Sequence, residues 1–570
     1  MKLTEKSLEQ LFIKAIINLK PDFNAWDKLF IQKASNDKFG DYQTNFAMVS
    51  AKDFAQAPRQ SAQQIIDNFP QNNLVEKLEI AGPGFINIYL QKSYLEELVT
   101  KLGEEDFDFS WLERAGQVVI DYSSPNIAKR MHIGHLRSTV IGDAIKRIYR
   151  YLGYQVVADN HIGDWGTQFG KLIVGYRNWL QRAAYETNPI DELERIYVKF
   201  SIEAEQDESL NDAARLELKK LHEGDAENLR LWREFIDVSL NEYNKIYQRL
   251  DISFDQYRGE SFYHEMMPEI IELLKNKNLA ESSQEALVVF FDEAENLHPC
   301  LVQKKDGAYL YATSDLACLK HKRDHYDLNK AIYVTDERQQ THFKQIFKIA
   351  EMLGWQIKTE HVWFGIMRFQ DGIFSSRKGN VIRLQELLDE AVKRVRAVIE
   401  EKNPDLPTAE KELVAEKIGV GAIKYADLSK NPQSMVIFDW DKMLSFEGNT
   451  APYLQYTHAR IKSVFRKAAQ QQIQLDTKKL HLADELDHAL ALKLSQFPDA
   501  VLKAAESCKP NIVADYLFDL GQKFNSYYNQ KPFLKAEKQA QNSRLLLASK
   551  TAEILAQGLD LLGIEAVDRM

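Results

Sequence analysis

The chain reads as an α/β protein in which a doubly wound parallel-sheet domain lies between an N-terminal α+β domain and a C-terminal all-α domain. Three observations lead there. From about residue 115 to 400, short apolar strand-like runs alternate with stretches of helical periodicity, the pattern of a parallel sheet with right-handed crossovers. Ahead of that region, a helical start gives way to strand-like runs punctuated by glycine and proline. Beyond "NPDLPT", with Pro404 and Pro407, the periodicity is almost wholly helical to the last residue. At 570 residues the chain exceeds what one hydrophobic core serves, which agrees with several domains of ordinary size.

Taken in order, the first domain covers residues 1–110. Its "AGPGFINIYL" places Gly82, Pro83 and Gly84 in a turn before an alternating strand that carries Asn87. The second, 111–403, opens with the strand "GQVVIDY" and a polar loop, then the helical "HLRSTVIGDAIKRIYRYLGY", which ends at Gly153. The strand "YQVVADN" and the glycine-punctuated "HIGDWGTQFG" follow. A charged, helix-rich insertion is expected at about 171–290. After it come the strand "AIYVTDE", the helix "THFKQIFKIAEMLGW", the strand "HVWFGIM" and the helix "LQELLDEAVKRVRAVIEEK". The third domain, 404–570, is expected to be all-helical apart from loops such as "SKNPQS" and "SFEGNTAP".

Composition narrows the function. With 45% hydrophobic and 27% charged residues the chain is globular. No apolar run approaches the roughly 18 residues of a membrane span. The opening "MKLTEKSLEQLFIKAIINLK" is an amphipathic helix interrupted by Glu5, Lys6, Glu9 and Lys14, so a cytoplasmic, membrane-free protein is expected. Cys300, Cys318 and Cys508 are widely spaced, which offers neither a disulfide framework nor a metal cluster, and no metal site in the protein is expected. The net charge of -10 argues against a surface that grips nucleic acid everywhere. Residues 451–570 nevertheless hold 16 Lys+Arg against 13 Asp+Glu, so the C-terminal part is the better face for an anion.

The chemistry concentrates in "SSPNIAKRMHIGHLRST", residues 123–139. This loop leaves a strand end and opens a helix, where doubly wound sheets bind ligands and helix N–H groups favour phosphate. His132 and His135, three apart, can donate to phosphate oxygens as charge builds, and Gly134 would let a flat base or ribose approach the backbone. Those parts fit phosphoryl or nucleotidyl transfer.

"HIGH" at the first helix of a nucleotide-binding fold resembles the signature of class I aminoacyl-tRNA synthetases and their nucleotidyltransferase relatives. The wider "SSPNIAKRMHIGHLRSTVIGDA", together with "NHIGDWGTQFG", "YATSDLA" and "WDKMLSFEGNTAPYLQYTHARI", resembles the arginyl-tRNA synthetase family over all three regions. The resemblance implies a Rossmann-type catalytic domain, an N-terminal domain on the outer corner of the tRNA and a helical anticodon-binding domain. It implies an arginine–tRNA ligase: arginine is activated by ATP, with Mg²⁺ accompanying the phosphates, to arginyl adenylate and passed to the terminal adenosine of tRNA(Arg). A monomer is expected.

The second class I signature, normally KMSKS, falls on "IFSSRKGN", residues 373–380, where Ser376 replaces the second lysine. The resemblance assigns Ser375, Arg377 and Lys378 to ATP and gives the missing charge to Lys129, just upstream of HIGH. A guanidinium is a planar fork best met by buried carboxylates. By resemblance Glu260, in "YRGESFY", and Asp315, in "YLYATSDLACLKHKR", meet it. Tyr311 and Gln339 then shape the pocket, and Asn126 holds the α-amino end. His342 is a candidate adenosine contact, His161 and Gln168 candidate substrate donors, and Trp165 either a wall or a core aromatic. Tyr453, Tyr456, Arg460 and Met570, with Asn87 in the first domain, are candidate tRNA contacts, aromatic faces mixed with positive charge being what unstacked bases meet. Two other readings stay open here: a HIGH-fold nucleotidyltransferase, which has no need of the two flanking RNA domains, and an inactive RNA-binding paralogue, which would be expected to lack His132 or His135.

Overall fold

The computed structural model describes residues 1–283, 285–369 and 382–570. At its centre is a sheet of five parallel strands: β5 (Gln117–Asp121), β6 (Gln155–Asn160), β7 (Gln256–Tyr257), β11 (Leu328–Asp336) and β12 (Lys358–Phe364), in the order β12-β11-β5-β6-β7. β5 is buried along most of its length because helices cover both faces, which is why its sequence is a continuous β-branched run without alternation. Ile120 is in register with Ala158 on one side and Ile332 on the other. The chain adds β6 and β7 to one side of β5 and β11 and β12 to the other. The crevice where the winding reverses therefore lies at the C-terminal ends of β5 and β11, and the loops that follow β5, β6 and β11 rim it.

The N-terminal domain has α1 (Thr4–Leu19), α2 (Pro58–Asp67) and α3 (Lys92–Lys101) around an antiparallel sheet. Its strands are β1 (Ile31–Lys33), β2 (Tyr42–Thr44), β3 (Val75–Ala81) and β4 (Phe85–Leu90), ordered β1-β2-β4-β3. The glycine turn joins β3 to β4, and Gly84 takes φ +147° against Pro58, where a Cβ would come within 2.9 Å of the proline side chain.

In the catalytic region α4 (Ile133–Tyr151) follows the HIGH loop, as its periodicity predicts. The insertion carries α5 (Thr167–Trp179), α6 (Pro189–Glu203), α7 (Ser209–His222) and α8 (Ala226–Arg249). Its helical part ends at Arg249, short of the expected 290, and β7 returns the chain to the main sheet. After α9 (Met267–Asn276), the strands β8 (Ala280–Ser283), β9 (Ala286–Val289) and β10 (Cys300–Gln303) pair as a separate antiparallel sheet. Acidic residues crowd this stretch and hide its two apolar runs, "ALVV" and "CLVQ", which satisfy their backbones by pairing with each other. α10 (Tyr311–His325) and α11 (Gln340–Met352) complete the layers around β11.

After β12, a short parallel ladder joins β13 (Met367–Phe369) to β14 (Val436–Phe438). The helices α12 (Leu384–Lys402) and α13 (Thr408–Leu428) pack along each other and lead into α14 (Ala451–Gln470), α15 (Glu485–Ser495), α16 (Phe497–Ser507), α17 (Asn511–Gln530) and α18 (Lys538–Leu561). Two polar clasps fasten this bundle to α4. Arg137, 1% exposed, gives its guanidinium to Asp427 on α13 and to the carbonyls of Gly365, Pro432 and Ser434. One helix face further on, the buried Lys424 ammonium donates to Leu250 O and Gly563 O at 2.5 Å each, beside Asp143 of α4. Buried charges are tolerated here because each cation is paired with a carboxylate or with backbone carbonyls.

Candidate active site

The HIGH loop is built by its own histidines. His132 is the N-cap of α4: its Nδ1 accepts from Gly134 N at 3.0 Å, and His135 Nδ1 accepts from His132 N at 3.1 Å. The rings lie 3.9 Å apart. Each Nδ1 is occupied as an acceptor, so each neutral ring carries its proton on Nε2, the nitrogen free to donate to a phosphate. Burial, then the neighbouring His132 ring and Lys129, hold the His135 pKa down to about 3, and burial and Lys129 lower that of His132. Both rings are thus held neutral. Gly134 also makes room for the imidazole: a Cβ there would come within 2.8 Å of His132 Cε1.

Upstream, residues 123–129 follow an unusual path, with Ser123, Ser124 and Ala128 all at positive φ. The turn is braced against the loop after β6: Ile127 N donates to Gly163 O at 3.2 Å and Gly163 N to Pro125 O at 3.1 Å. A Cβ on Gly163 would overlap the Asn126 amide oxygen, so Asn126 and Gly163 need each other's shape. Lys129 projects to the insertion, its ammonium 4.6 Å from the centre of the Tyr197 ring.

The second loop brings acids together. Asp164 receives Ser261 N at 2.8 Å and Ser261 Oγ at 2.6 Å, and a Cβ on Gly259 would overlap its carboxylate. This turn presents Glu260, whose own N donates to Ile162 O at 3.1 Å. Burial first, then the charges of Asp315 and Asp164 against the opposing pull of His161, push the Glu260 carboxyl up to about 7. Asp315 stands one turn after Tyr311 on α10, as predicted, and burial, then the charges of Glu260 and Asp315, raise the phenol of Tyr311, itself 74% exposed. His342 Nε2 lies 2.5 Å from Asp315 Oδ2, which ties the candidate adenosine contact to the candidate guanidinium acid. Gln339 is exposed at the N-cap of α11. Asp164, which the sequence did not single out, belongs to this cluster; its place in "GDWG" between two glycines was the available signal.

Other loop residues are structural. Gln168 gives its amide to Gly163 O at 3.0 Å, bracing the loop. Trp165 is stacked on His222 of α7, 4.7 Å between ring centres, and meets Trp232 edge-on, so it is a core aromatic between loop and insertion. His161 sits beneath the pocket; burial opposes its protonation, but a hydrogen bond and charge from Cys318, with Asp121 and Asp315, raise its pKa to about 10. Asp121, His161 and Cys318 bring ligand atoms within 4.8 Å of one another, but Lys322 already supplies the positive charge there, 2.7 Å from Asp121 and 3.1 Å from Asp159.

Ser375, Ser376, Arg377 and Lys378 lie outside the described residues. Where the chain is described again it is tied directly to HIGH: Ile133 N donates to Ile382 O at 3.1 Å and Leu384 N to Met131 O at 3.0 Å. The chain that follows the second signature is therefore anchored at the mouth of α4.

At the far end of the chain, Tyr453, Tyr456, Arg460 and Met570 line one cleft of about 600 Å³ with Lys402 and Phe446. Arg460 donates to Asn525 Oδ1 at 2.6 Å while its guanidinium covers the rings of Tyr456 and Tyr528, at 4.8 and 5.4 Å. Asn87 departs from its expectation. It is 4% exposed in β4, its Oδ1 without a partner among the described residues, on the face of the sheet away from the core-filling Ile86 and Ile88 and in register with Gln43 and Glu79. Its side chain is not offered to an RNA in this conformation.

Comparison with known proteins covers the whole chain. Residues 99–440 match the family described as "tRNA synthetases class I (R), catalytic domain", residues 454–570 the DALR anticodon binding domain and residues 6–90 the arginyl tRNA synthetase N terminal domain. The arginine–tRNA ligase of Fusobacterium nucleatum is 57% identical over 571 residues, all of both chains, and that of Escherichia coli 42% over 552 residues, 95% of each. Among solved structures, arginyl-tRNA synthetase from Plasmodium falciparum superimposes with a TM-score of 0.86 at 29% identity over 100% of both chains. The Thermus thermophilus one does so with 0.84 at 27%, covering 99% of this chain and 100% of that one.

Proposed function

Because this chain belongs to the arginyl-tRNA synthetase family, we propose that the crevice at the ends of β5, β6 and β11 activates arginine and delivers it to tRNA. The reaction is ATP-dependent ligation of arginine to tRNA. The observation that carries the arginine reading is the cluster of Glu260, Asp315 and Asp164, close enough that the latter two raise the Glu260 carboxyl, a set of acids suited to a planar cation and to no apolar side chain.

In the first step the arginine carboxylate attacks the α-phosphate of ATP in line and pyrophosphate departs. Glu260 and Asp315 hold the guanidinium, Tyr311 and Gln339 close the pocket, and Asn126 takes the α-amino group. Neutral His132 and His135 donate through Nε2 to the phosphates at the N-terminus of α4, where helix N–H groups add to the field. Lys129 brings charge once it leaves the Tyr197 ring, and Ser375, Arg377 and Lys378 approach from the second signature. His342 acts at Asp315 and, through it, on both substrates. Mg²⁺ enters as the counter-ion of ATP and leaves with pyrophosphate, so no protein carboxylate is assigned to it. In the second step a ribose hydroxyl of the terminal adenosine of tRNA(Arg) attacks the arginyl carbonyl of the adenylate, forming the ester as the acyl–phosphate bond breaks and AMP leaves, without a covalent enzyme intermediate, the rate coming from position and charge. The anticodon stacks in the cleft of Tyr453, Tyr456, Arg460 and Met570. The enzyme works as a monomer in the cytoplasm.

Pyrophosphate exchange measured with each of the twenty amino acids, with and without tRNA, tests this. Exchange with arginine alone among them supports the reading, and exchange with another amino acid, or none under any condition, overturns it.

A further inference from the structure

None of the residues assigned above comes from the helical insertion α5–α8, yet two of its buried side chains reach the loop that bears Asn126 and Lys129. The Tyr243 hydroxyl on α8 lies 2.6 Å from Asn126 O and 2.8 Å from Lys129 O. One turn earlier, Ser239 Oγ accepts Ala128 N at 2.9 Å while donating to Phe235 O at 2.7 Å. Between these contacts sits Ala128 at φ +62°, a conformation that costs an alanine free energy and persists only where surroundings impose it. Ile127 N is held from the opposite side by Gly163 O. Every polar backbone group named in this turn is therefore met from outside the turn, and α8 supplies three of those contacts.

We propose that Tyr243, assisted by Ser239, is a positioning residue: its hydroxyl imposes the left-handed turn at Ala128 and so sets where Asn126 and Lys129 meet arginine and ATP. The proposal rests on the roles given to those two residues above. It assigns the insertion a part in catalysis, since α8 grips the loop backbone while α6 pairs Asp191 with Arg130 at 2.6 Å and offers Tyr197 to Lys129. Without the hydroxyl, two carbonyls lose their shared donor and the alanine relaxes toward its preferred right-handed geometry, carrying both side chains away from the crevice.

The test uses the full-length chain with tRNA present and the variants Tyr243→Phe, Ala128→Gly and both together. Tyr243→Phe keeps the ring in the core and should lower the single-turnover rate of arginyl adenylate formation by about 10- to 100-fold, the size of effect expected from a misplacement on the order of 1 Å. Ala128→Gly should stay near the parent, because glycine adopts positive φ without strain. In the double variant the loss should shrink severalfold, since a turn free of strain needs its clamp less. A Tyr243→Phe rate within threefold of the parent, or an equal loss in both backgrounds, would overturn the proposal. Hydrogen exchange across residues 123–135 reads the clamp without reference to activity: it should quicken in Tyr243→Phe, and unchanged exchange overturns the clamp even in an inactive protein. A parent that forms no arginyl adenylate but shows the quickened exchange would defeat the functional reading alone.

Discussion

Glu260 and Asp315 divide the work of selecting a cation between a carboxyl that holds its proton near neutrality and one already engaged by His342. Asp315→Asn or Glu260→Gln should raise the arginine KM by the equivalent of about 2 to 5 kcal/mol, because each leaves one side of a buried charged fork unmet, while the ATP KM changes little. Steady-state kinetics with both substrates varied decides this. The Glu260 carboxyl, raised to about 7 in the free protein, also sets a pH dependence. Below that pH its proton must be displaced by the guanidinium, so the arginine KM should fall from pH 6 to 8 and level off, and Glu260→Gln should flatten that limb. The sign for stability is opposite. A carboxyl raised above its unfolded value stabilises the fold fully below the unfolded value and loses that contribution as pH rises through 7. Thermal melts without arginine should show the gap between Glu260→Gln and parent moving in the variant's favour from pH 5 to pH 8. Lys129→Ala should lower kcat about 10²- to 10³-fold, the size seen on removing one preorganised donor, with a smaller effect on the ATP KM; single-turnover adenylate formation within threefold of the parent would remove it from the catalytic charge. At this scale the sequence was legible where a motif placed residues together, as HIGH places His132 and His135 at the start of α4, whereas the two acids were found only through the family resemblance. It did not show that the missing Cβ of Gly134 also admits His132, nor that Asn87 is buried.

Helix α4 joins the phosphate site to the rest of the molecule. Its N-terminus holds the imidazole pair, and its body is gripped by Arg137 to Asp427 and by Asp143 beside Lys424. Asp427→Asn leaves a guanidinium in the core with its anion removed, and should cost about 3 to 5 kcal/mol of stability, read as a lowered melting temperature. Regular elements were the most legible. The strands "GQVVIDY", "YQVVADN" and "AIYVTDE" and the helix after HIGH appear where their periods put them, since a buried parallel strand and an amphipathic helix state their environment in their own residues. The insertion was less so. Its apolar runs between 280 and 303 are too short and too acidic in context to declare the small sheet they form together.

Across the whole molecule, the N-terminal domain is docked on the C-terminal bundle through His488 and Asp41 at 2.7 Å, Lys503 and Glu5 at 2.9 Å, and Leu482 N on Glu96 at 2.8 Å. The two domains expected to meet RNA are thus one surface with α4 behind it. Arginine-dependent pyrophosphate exchange should be undetectable or very slow until tRNA is added, the RNA completing the site by induced fit; robust exchange without tRNA would refute that. In the distal cleft, Tyr456→Ala or Arg460→Ala should lower kcat/KM for tRNA by roughly the 1 to 3 kcal/mol of one stacked base and leave the arginine KM alone. Aminoacylation at varied tRNA concentration measures both.

The sequence by itself determined the order of strands and helices, the helix mouth that meets phosphate and the motifs that resemble the arginyl family, because these are written in residues close together along the chain. Only the tertiary structure decided what lies beside them. Asp164, Glu260 and Asp315 come together from positions up to 151 residues apart, Tyr243 reaches across 114 residues to Lys129, and Tyr456 meets Met570 in one cleft. Such pairings leave no local period or spacing; they exist only once the sheet has fixed where each loop ends.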